Sequence, residues 1–248
     1  MLSKRQLKEL RYYRQNKYCK ENGLFVVEGE KMAEEALSSG WSIRTVCATE
    51  SWMATHRQPA TIDQWHTVSA GELEMLSLMR NPNAVWMLVE RQEADITALR
   101  SIDATLVLDH LQDPGNMGTI IRTADWFGIR HIVCSLDSVD CYNPKVVQST
   151  MGGIFRTKVI YTDIVDWLTH CGTPVYGAVL GGEPICGTTK LSHPCTLVIG
   201  NESQGISPAV AACLTQRITI PNIGGSAESL NAASAAAVLI ALLALPEA

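Results

Sequence analysis

From residue 23 onward, short apolar runs alternate with polar stretches in which apolar residues recur every three or four positions. Uninterrupted apolar runs bounded by turn residues read as buried strands, and the three-to-four period reads as helix. A first series predicts a strand over 23–29, a helix over 30–39 stopped by Gly40, and a strand over 43–48. It continues with a strand over 66–68, a helix over 69–79 and a strand over 85–89. Ser69 and Glu72 have the spacing of a capping box, in which each satisfies an amide at the other's end of the first turn. Polar residues then dominate 91–103. A second series predicts strands over 104–109, 131–135, 158–161, 174–180, 196–200 and 217–220, with helices over 117–127, 144–151, 163–170 and 207–213. An Ala-rich helix, opened by Ser229-Leu230-Asn231, runs to Leu245. The pattern predicts an α/β protein: a small sandwich domain over 1–92, a linker over 93–103, and a domain over 104–248 with a mostly parallel sheet covered on both faces.

Residues 3–21 follow a different rule and read as one basic helix. Lys4, Lys8, Arg11 and Arg14 recur at three- and four-residue steps, which places them on one face. Residues 1–20 hold seven Lys or Arg against Glu9 alone, a net +6, which leaves −11 on the other 228 residues. Tyr12, Tyr13 and Tyr18 interleave with the charges. Cations mixed with rings that can stack form the footprint of an RNA contact, here Lys4, Arg5, Lys8, Arg11, Arg14 and Lys17. A solvated surface helix is the plainer alternative.

The whole chain, at net −5, is no general polyanion binder, and 46% hydrophobic residues in 248 suit a folded core. Its eight cysteines form no C-x-x-C pair and have no histidine at zinc-finger spacing, so reduced thiols in the cytoplasm, and no metal, are expected. The longest apolar run, 232–245, is short of the roughly 20 residues that a membrane span needs, so no membrane is expected.

Chemistry concentrates in three loops, each following an apolar strand: Asp113–Gly118, Gly200–Gly205 and Pro221–Asn231. Open α/β sheets bind ligands at the carboxyl ends of their strands. The loops supply Asn116, Arg122, Asn201, Glu202, Ser229 and Asn231, a set suited to holding polar groups rather than to nucleophilic catalysis. Ser229 or Asn231 could equally serve only as a helix cap.

In order and spacing the loops resemble the three motifs of the SpoU branch of the SPOUT family, RNA ribose 2′-O-methyltransferases. The first runs from Asp113-Pro114-Gly115-Asn116 to Arg122-Thr123-Ala124, the second covers Ile199–Glu202 with Gly205, and the third covers Ile220-Pro221 and Glu228–Asn231. Residues 1–90 are similar to the L30e-like substrate-binding domain of such enzymes. The resemblance implies a trefoil-knotted domain, a homodimer through it, and S-adenosyl-L-methionine as methyl donor. It implies donor contacts at Leu180, Gly200, Ile220 and Leu230, and a reaction centre of Asn116, Arg122, Glu202, Ser229 and Asn231. It implies RNA as substrate, with ribosomal RNA favoured over tRNA. Because an arginine side chain is a poor base, Arg122 is expected to act electrostatically, although the family pattern also admits a basic role. The loop from Ile220 to Leu230 is one residue longer than the family's usual spacing. The competing readings are a tRNA 2′-O-methyltransferase, a base-modifying SPOUT enzyme, and an RNA-binding homologue without catalysis.

Overall fold

The computed structural model describes residues 2–56, 62–82, 84–93, 96, 104–186, 189 and 191–244. The chain divides into two units: Met1–Gln92 with Asp140–Arg156, and Glu93–Val139 with Thr157–Ala248. The linker expected over 93–103 lies outside the described residues apart from Glu93 and Ile96.

In the first unit, α1 (Lys4–Leu10), a 3-10 turn (Arg11–Arg14) and α2 (Asn16–Glu21) precede β1 (Leu24–Glu28) and α3 (Glu30–Ser38). Then come β2 (Ile43–Ala48), α4 (Glu50–Thr55), β3 (Gln64–Thr67), α5 (Ala70–Leu76) and β4 (Val85–Glu90). The sheet order is β1-β4-β2-β3, antiparallel except for β2 with β3. Ser69 and Glu72 form the expected capping box on α5. The short helix α4, capped by Thr49 Oγ1, is not anticipated by the pattern.

The basic segment is not the single helix expected. Gln15 takes an extended conformation, φ −96° and ψ 117°, between the 3-10 turn and α2. A straight helix of 19 residues would be roughly 28 Å long, too long to bury both ends in one small core. With the break, Leu2, Leu10 and Cys19 all join the cluster of Leu24, Val26, Leu73, Leu76 and Trp86. Lys4, Lys8, Arg11 and Arg14, the four cations expected on one face, all precede the break, while Lys17 and Lys20 lie beyond it on α2.

All five positions of β1 are buried, so both its faces need cover. Part of that cover comes from far along the chain, since residues 140–156 pack in this unit rather than with the residues around them in sequence. The Tyr142 ring lies 4.7 Å from Phe25, and Phe155 lies 5.3 Å from Trp41, between centroids. The Asp140 carboxylate accepts from Arg91 Nη1 at 3.0 Å and from Asn16 Nδ2 at 3.2 Å.

The second part of the chain runs β5 (Ala104–Leu108), α6 (Pro114–Trp126), β6 (His131–Ser135), α7 (Pro144–Thr150, in the first unit), β7 (Lys158–Thr162) and α8 (Ile164–His170). It ends with β8 (Val175–Pro184), β9 (Cys195–Ile199), α9 (Pro208–Ala211), β10 (Gln216–Thr219) and α10 (Ala232–Ala244). The six strands form one sheet in the order β10-β8-β9-β5-β6-β7, and every pairing is parallel. Val107, Val133, Ile160, Val175 and Val198 make one buried face with Ile164 and Leu168 of α8 and Val210 of α9. Helix α10 packs on α6. No described helix is long and apolar enough to cross a membrane.

A parallel sheet sends the carboxyl ends of all its strands to one edge. The loops after β5, β8, β9 and β10 therefore share that edge.

Candidate active site

The loop after β5 is turned by Asp113, whose carboxylate caps α6 by accepting from the amide of Asn116 at 2.8 Å. Pro114 occupies the first helical turn, where no amide donor is needed. Asn116 is thereby fixed in the first turn with its side chain on the buried face of α6. Its amide nitrogen donates to Glu202 Oε1 at 2.6 Å, and its carbonyl oxygen accepts from Asn231 Nδ2 at 2.9 Å. One side chain thus ties together the loops after β5, β9 and β10, the three stretches singled out in the sequence.

Asn231 serves both roles that the sequence left open. Its Oδ1 caps α10 by accepting from Ala233 N at 2.9 Å and Ser234 N at 3.3 Å, while its Nδ2 joins the network. Oδ1 takes the orphan amides of the helix start, so the side chain cannot rotate away from Asn116. Among the described residues Ser229 makes no cap bond to α10, whose first amides are taken by Asn231.

The loop after β9 is held from below. Asn201 Nδ2 donates to the His110 carbonyl at 2.8 Å, and its Oδ1 accepts from Ser203 N and Gln204 N. A Cβ on Gly200 would stand 2.3 Å from the Gly205 carbonyl carbon, so only glycine permits this tight return. Ser207, at the start of α9, makes no side-chain cap bond; its amide donates to the buried Asp109 carboxylate at 2.7 Å.

Beside this network lies a cavity of about 580 Å³. All four residues expected at the donor, Leu180, Gly200, Ile220 and Leu230, line it, as do Glu202 and Ser229. Strand β8 reaches it by leaving register: Gly177 pairs with Arg217 and the next pairing is Glu183 with Ile218, so residues 178–182 bow outward. The sequence pattern ended this strand at Leu180; the structure continues it to Pro184 and places Ala178 and Val179 on the cavity wall. Leu180 is 75% exposed and Leu230 52%, so the apolar lip is open to a ligand. The size falls in the usual range for small-molecule and cofactor sites, roughly 300–1,000 Å³. The wall combines apolar side chains with the backbone of Gly200 and Gly205, which suits a ligand with a flat ring and polar edges.

The longer loop is organised by Asn222. Its Oδ1 accepts from Gly224 N and Gly225 N, and its Nδ2 donates to the carbonyls of Gly225 and Ala227. Gly224, at φ +101°, takes a backbone conformation open mainly to glycine.

Arg122 stands apart from this network. It lies on the exposed side of α6, one turn before Trp126, which is 84% exposed, and makes no hydrogen bond or ion pair with a described residue. Of the six cations expected to meet RNA, Arg5 pairs with Glu9 at 3.0 Å, Lys17 with Glu21 at 3.9 Å, and Arg14 donates to the Met75 carbonyl at 3.3 Å. Lys4, Lys8 and Arg11 are exposed without such ties among the described residues.

Known proteins resemble this chain in sequence and in fold. Residues 103–241 match the SpoU rRNA Methylase family, and residues 4–86 match the MRM3-like substrate binding domain. The 23S rRNA (guanosine(2553)-2′-O)-methyltransferase RlmP of Bacillus subtilis is 30% identical over 87% of this chain and 86% of its own. Among solved structures, a TrmH-family protein from Porphyromonas gingivalis is 37% identical, with a TM-score of 0.86 over 98% of both chains. The AdoMet-bound rRNA methyltransferase from Sinorhizobium meliloti is 28% identical, with a TM-score of 0.85 over 98% of this chain and 95% of its own. With the three loops tied at Asn116 and the match extending over more than half its length, the chain belongs to the SpoU rRNA methylase family of SPOUT proteins.

Proposed function

We propose that this protein is an S-adenosyl-L-methionine-dependent methyltransferase that methylates a ribose 2′-hydroxyl in ribosomal RNA. The observation that carries this reading is the junction of three loops at Asn116 beside a cavity of cofactor size. Leu180, Ile220 and Leu230 would hold the adenine ring, and the backbone around Gly200 the polar edges. The donor, when bound, supplies an electrophilic methyl group on a sulfonium. The Glu202 carboxylate at the cavity favours that positive charge, and Asn116 keeps it aimed there. Ser229 and Asn231 border the place where the ribose hydroxyl must be aligned, which is the main demand of a displacement at carbon.

Arg122 is the group that favours the developing alkoxide and holds a phosphate of the RNA. Its exposure, with Trp126 one turn away, supports a homodimer in which this face of α6 meets a second copy and completes the reaction centre. We place the trefoil knot in the same unit, on the family resemblance. Ribosomal RNA is favoured over tRNA because relatives that match across both units are named as 23S rRNA methyltransferases. The exposed cations of α1 and the turn after it supply the RNA contact, and the cytoplasm is the proposed site of action.

The test has two parts. Calorimetry should show S-adenosylmethionine binding to the purified protein. Mapping of ribose methylation across total RNA, from cells with and without the gene, should show one nucleotide of ribosomal RNA losing its methyl group. Loss at a tRNA nucleotide instead would select the tRNA reading, and donor binding without any lost methyl group would select an inert homologue.

A further inference from the structure

The carboxyl end of β5 carries a second constellation that the Asn116 network does not use. His110 takes the left-handed backbone conformation, φ +56°, which is uncommon outside Gly although Asn, Asp and His adopt it more often than other residues. Both of its peptide groups are engaged: the amide donates to Ser135 Oγ at 2.9 Å, and the carbonyl accepts from Asn201 Nδ2 at 2.8 Å. Its ring is also placed. Nδ1 lies 2.6 Å from Asp137 Oδ2, while Asp137 Oδ1 accepts from Ser135 Oγ at 2.6 Å. Ser135 in turn meets Ser138 at 2.9 Å, and Gln112 Nε2 donates to the Asp137 carbonyl at 3.0 Å. The Ser135 and His110 hydrogen bonds hold the Asp137 carboxyl below its usual range, so it is a charged acceptor at neutral pH.

The backbone here would be served at least as well by glycine or asparagine, so the imidazole is not there for the turn. A ring fixed at Nδ1 by a carboxylate presents Nε2 in a defined direction, the arrangement that orients functional histidines elsewhere. Among the described residues Nε2 has no partner, and the side chain is 38% exposed. Its carbonyl holds the residue next to Glu202, so the ring stands at the same sheet edge as the donor cavity.

We propose that His110 is an RNA-contact residue whose Nε2 edge hydrogen-bonds a ribose 2′-hydroxyl of a nucleotide flanking the target. The inference rests on RNA being the substrate. A hydroxyl both donates and accepts, so it satisfies Nε2 whether or not that nitrogen carries a proton; a phosphate oxygen, which only accepts, does not. The same hydroxyl distinguishes RNA from DNA.

The experiment compares binding of a fluorescein-labelled single-stranded RNA of mixed sequence with that of DNA of the same sequence, by anisotropy. Wild type should bind the RNA more tightly. His110→Asn tolerates the left-handed backbone but shortens the reach. It should weaken RNA binding roughly 5- to 10-fold, the worth of one hydrogen bond, and leave DNA binding unchanged. Asp137→Ala should shift RNA binding in the same direction. Equal weakening for RNA and DNA, or none for either, overturns the proposal. A wild type that binds neither strand overturns the RNA-substrate reading and this inference with it, whereas intact RNA preference in His110→Asn overturns this inference alone. If His110→Asn does not fold, His110→Gly carries the same comparison at a position whose φ suits glycine.

Discussion

Replacing Asn116 by Asp changes one atom of the site and removes one hydrogen-bond donor. In the native side chain, Nδ2 donates to Glu202 Oε1 at 2.6 Å and Oδ1 accepts from Asn231 Nδ2 at 2.9 Å. Asn116→Asp retains the second bond but sets a carboxylate oxygen against the Glu202 carboxylate. The lost bond has a charged acceptor and is worth about 1.5–3 kcal/mol. Its loss corresponds to a drop of roughly 10- to 150-fold if Glu202 must be held for methyl transfer. Two carboxylates this close cannot both ionise, so the pair takes up one proton at a raised apparent pKa. That proton restores a donor between them. The ratio of wild-type to Asn116→Asp activity should therefore be largest near pH 8 and shrink toward about pH 5.5. The assay is transfer of labelled methyl from S-adenosylmethionine to ribosomal RNA from cells lacking the gene, with circular dichroism to verify folding. A variant within threefold of wild type at every pH, or a loss of constant size across the range in folded protein, would refute the reasoning.

Arg122→Ala should lower single-turnover methyl transfer by about 100-fold or more while leaving calorimetric donor binding and thermal unfolding nearly unchanged, since no described residue depends on that side chain. Asn231→Ala should lose the α10 cap and the bond to Asn116 together, with a stability loss of about 1–2 kcal/mol by urea unfolding. Asn231→Ser keeps a capping oxygen and should recover stability but not activity. Gly200→Ala puts a methyl group 2.3 Å from the Gly205 carbonyl carbon, so donor affinity should collapse; unaltered affinity would mean that the loop yields freely. Burial raises the Glu28 carboxyl above its usual range, against the opposing bonds from Ser77 and the Leu78 amide. A folded pKa above the unfolded one means that this group's contribution to stability is full below the unfolded value and is lost as pH rises through the folded one. The melting temperature of wild type relative to Glu28→Gln should therefore fall as pH rises above the ordinary glutamate range, and parallel curves would contradict it.

Much of this protein is legible along the chain because strands, helices and turns are local. Apolar runs place the strands of both sheets, and the spacing of Ser69 and Glu72 marks a helix start. The three loops are recognisable because each carries its polar residues within a few positions of an apolar strand. Arg122 is equally visible as a motif residue, but its distance from the Asn116 network is not, because a sequence does not state which way a helix face turns. Tertiary structure alone decides what joins what. Asn116 meets Glu202 and Asn231, 86 and 115 residues away, because a parallel sheet returns each strand end to one edge. The same physics moved two expectations. The basic helix breaks at Gln15 so that Leu2, Leu10 and Cys19 can share one core, and residues 140–156 join the first unit because a strand buried on both faces needs cover. His110 shows the limit most clearly: in sequence it is a lone histidine after a strand, and only folding brings it Asp137, 27 positions away, as the partner that aims its ring.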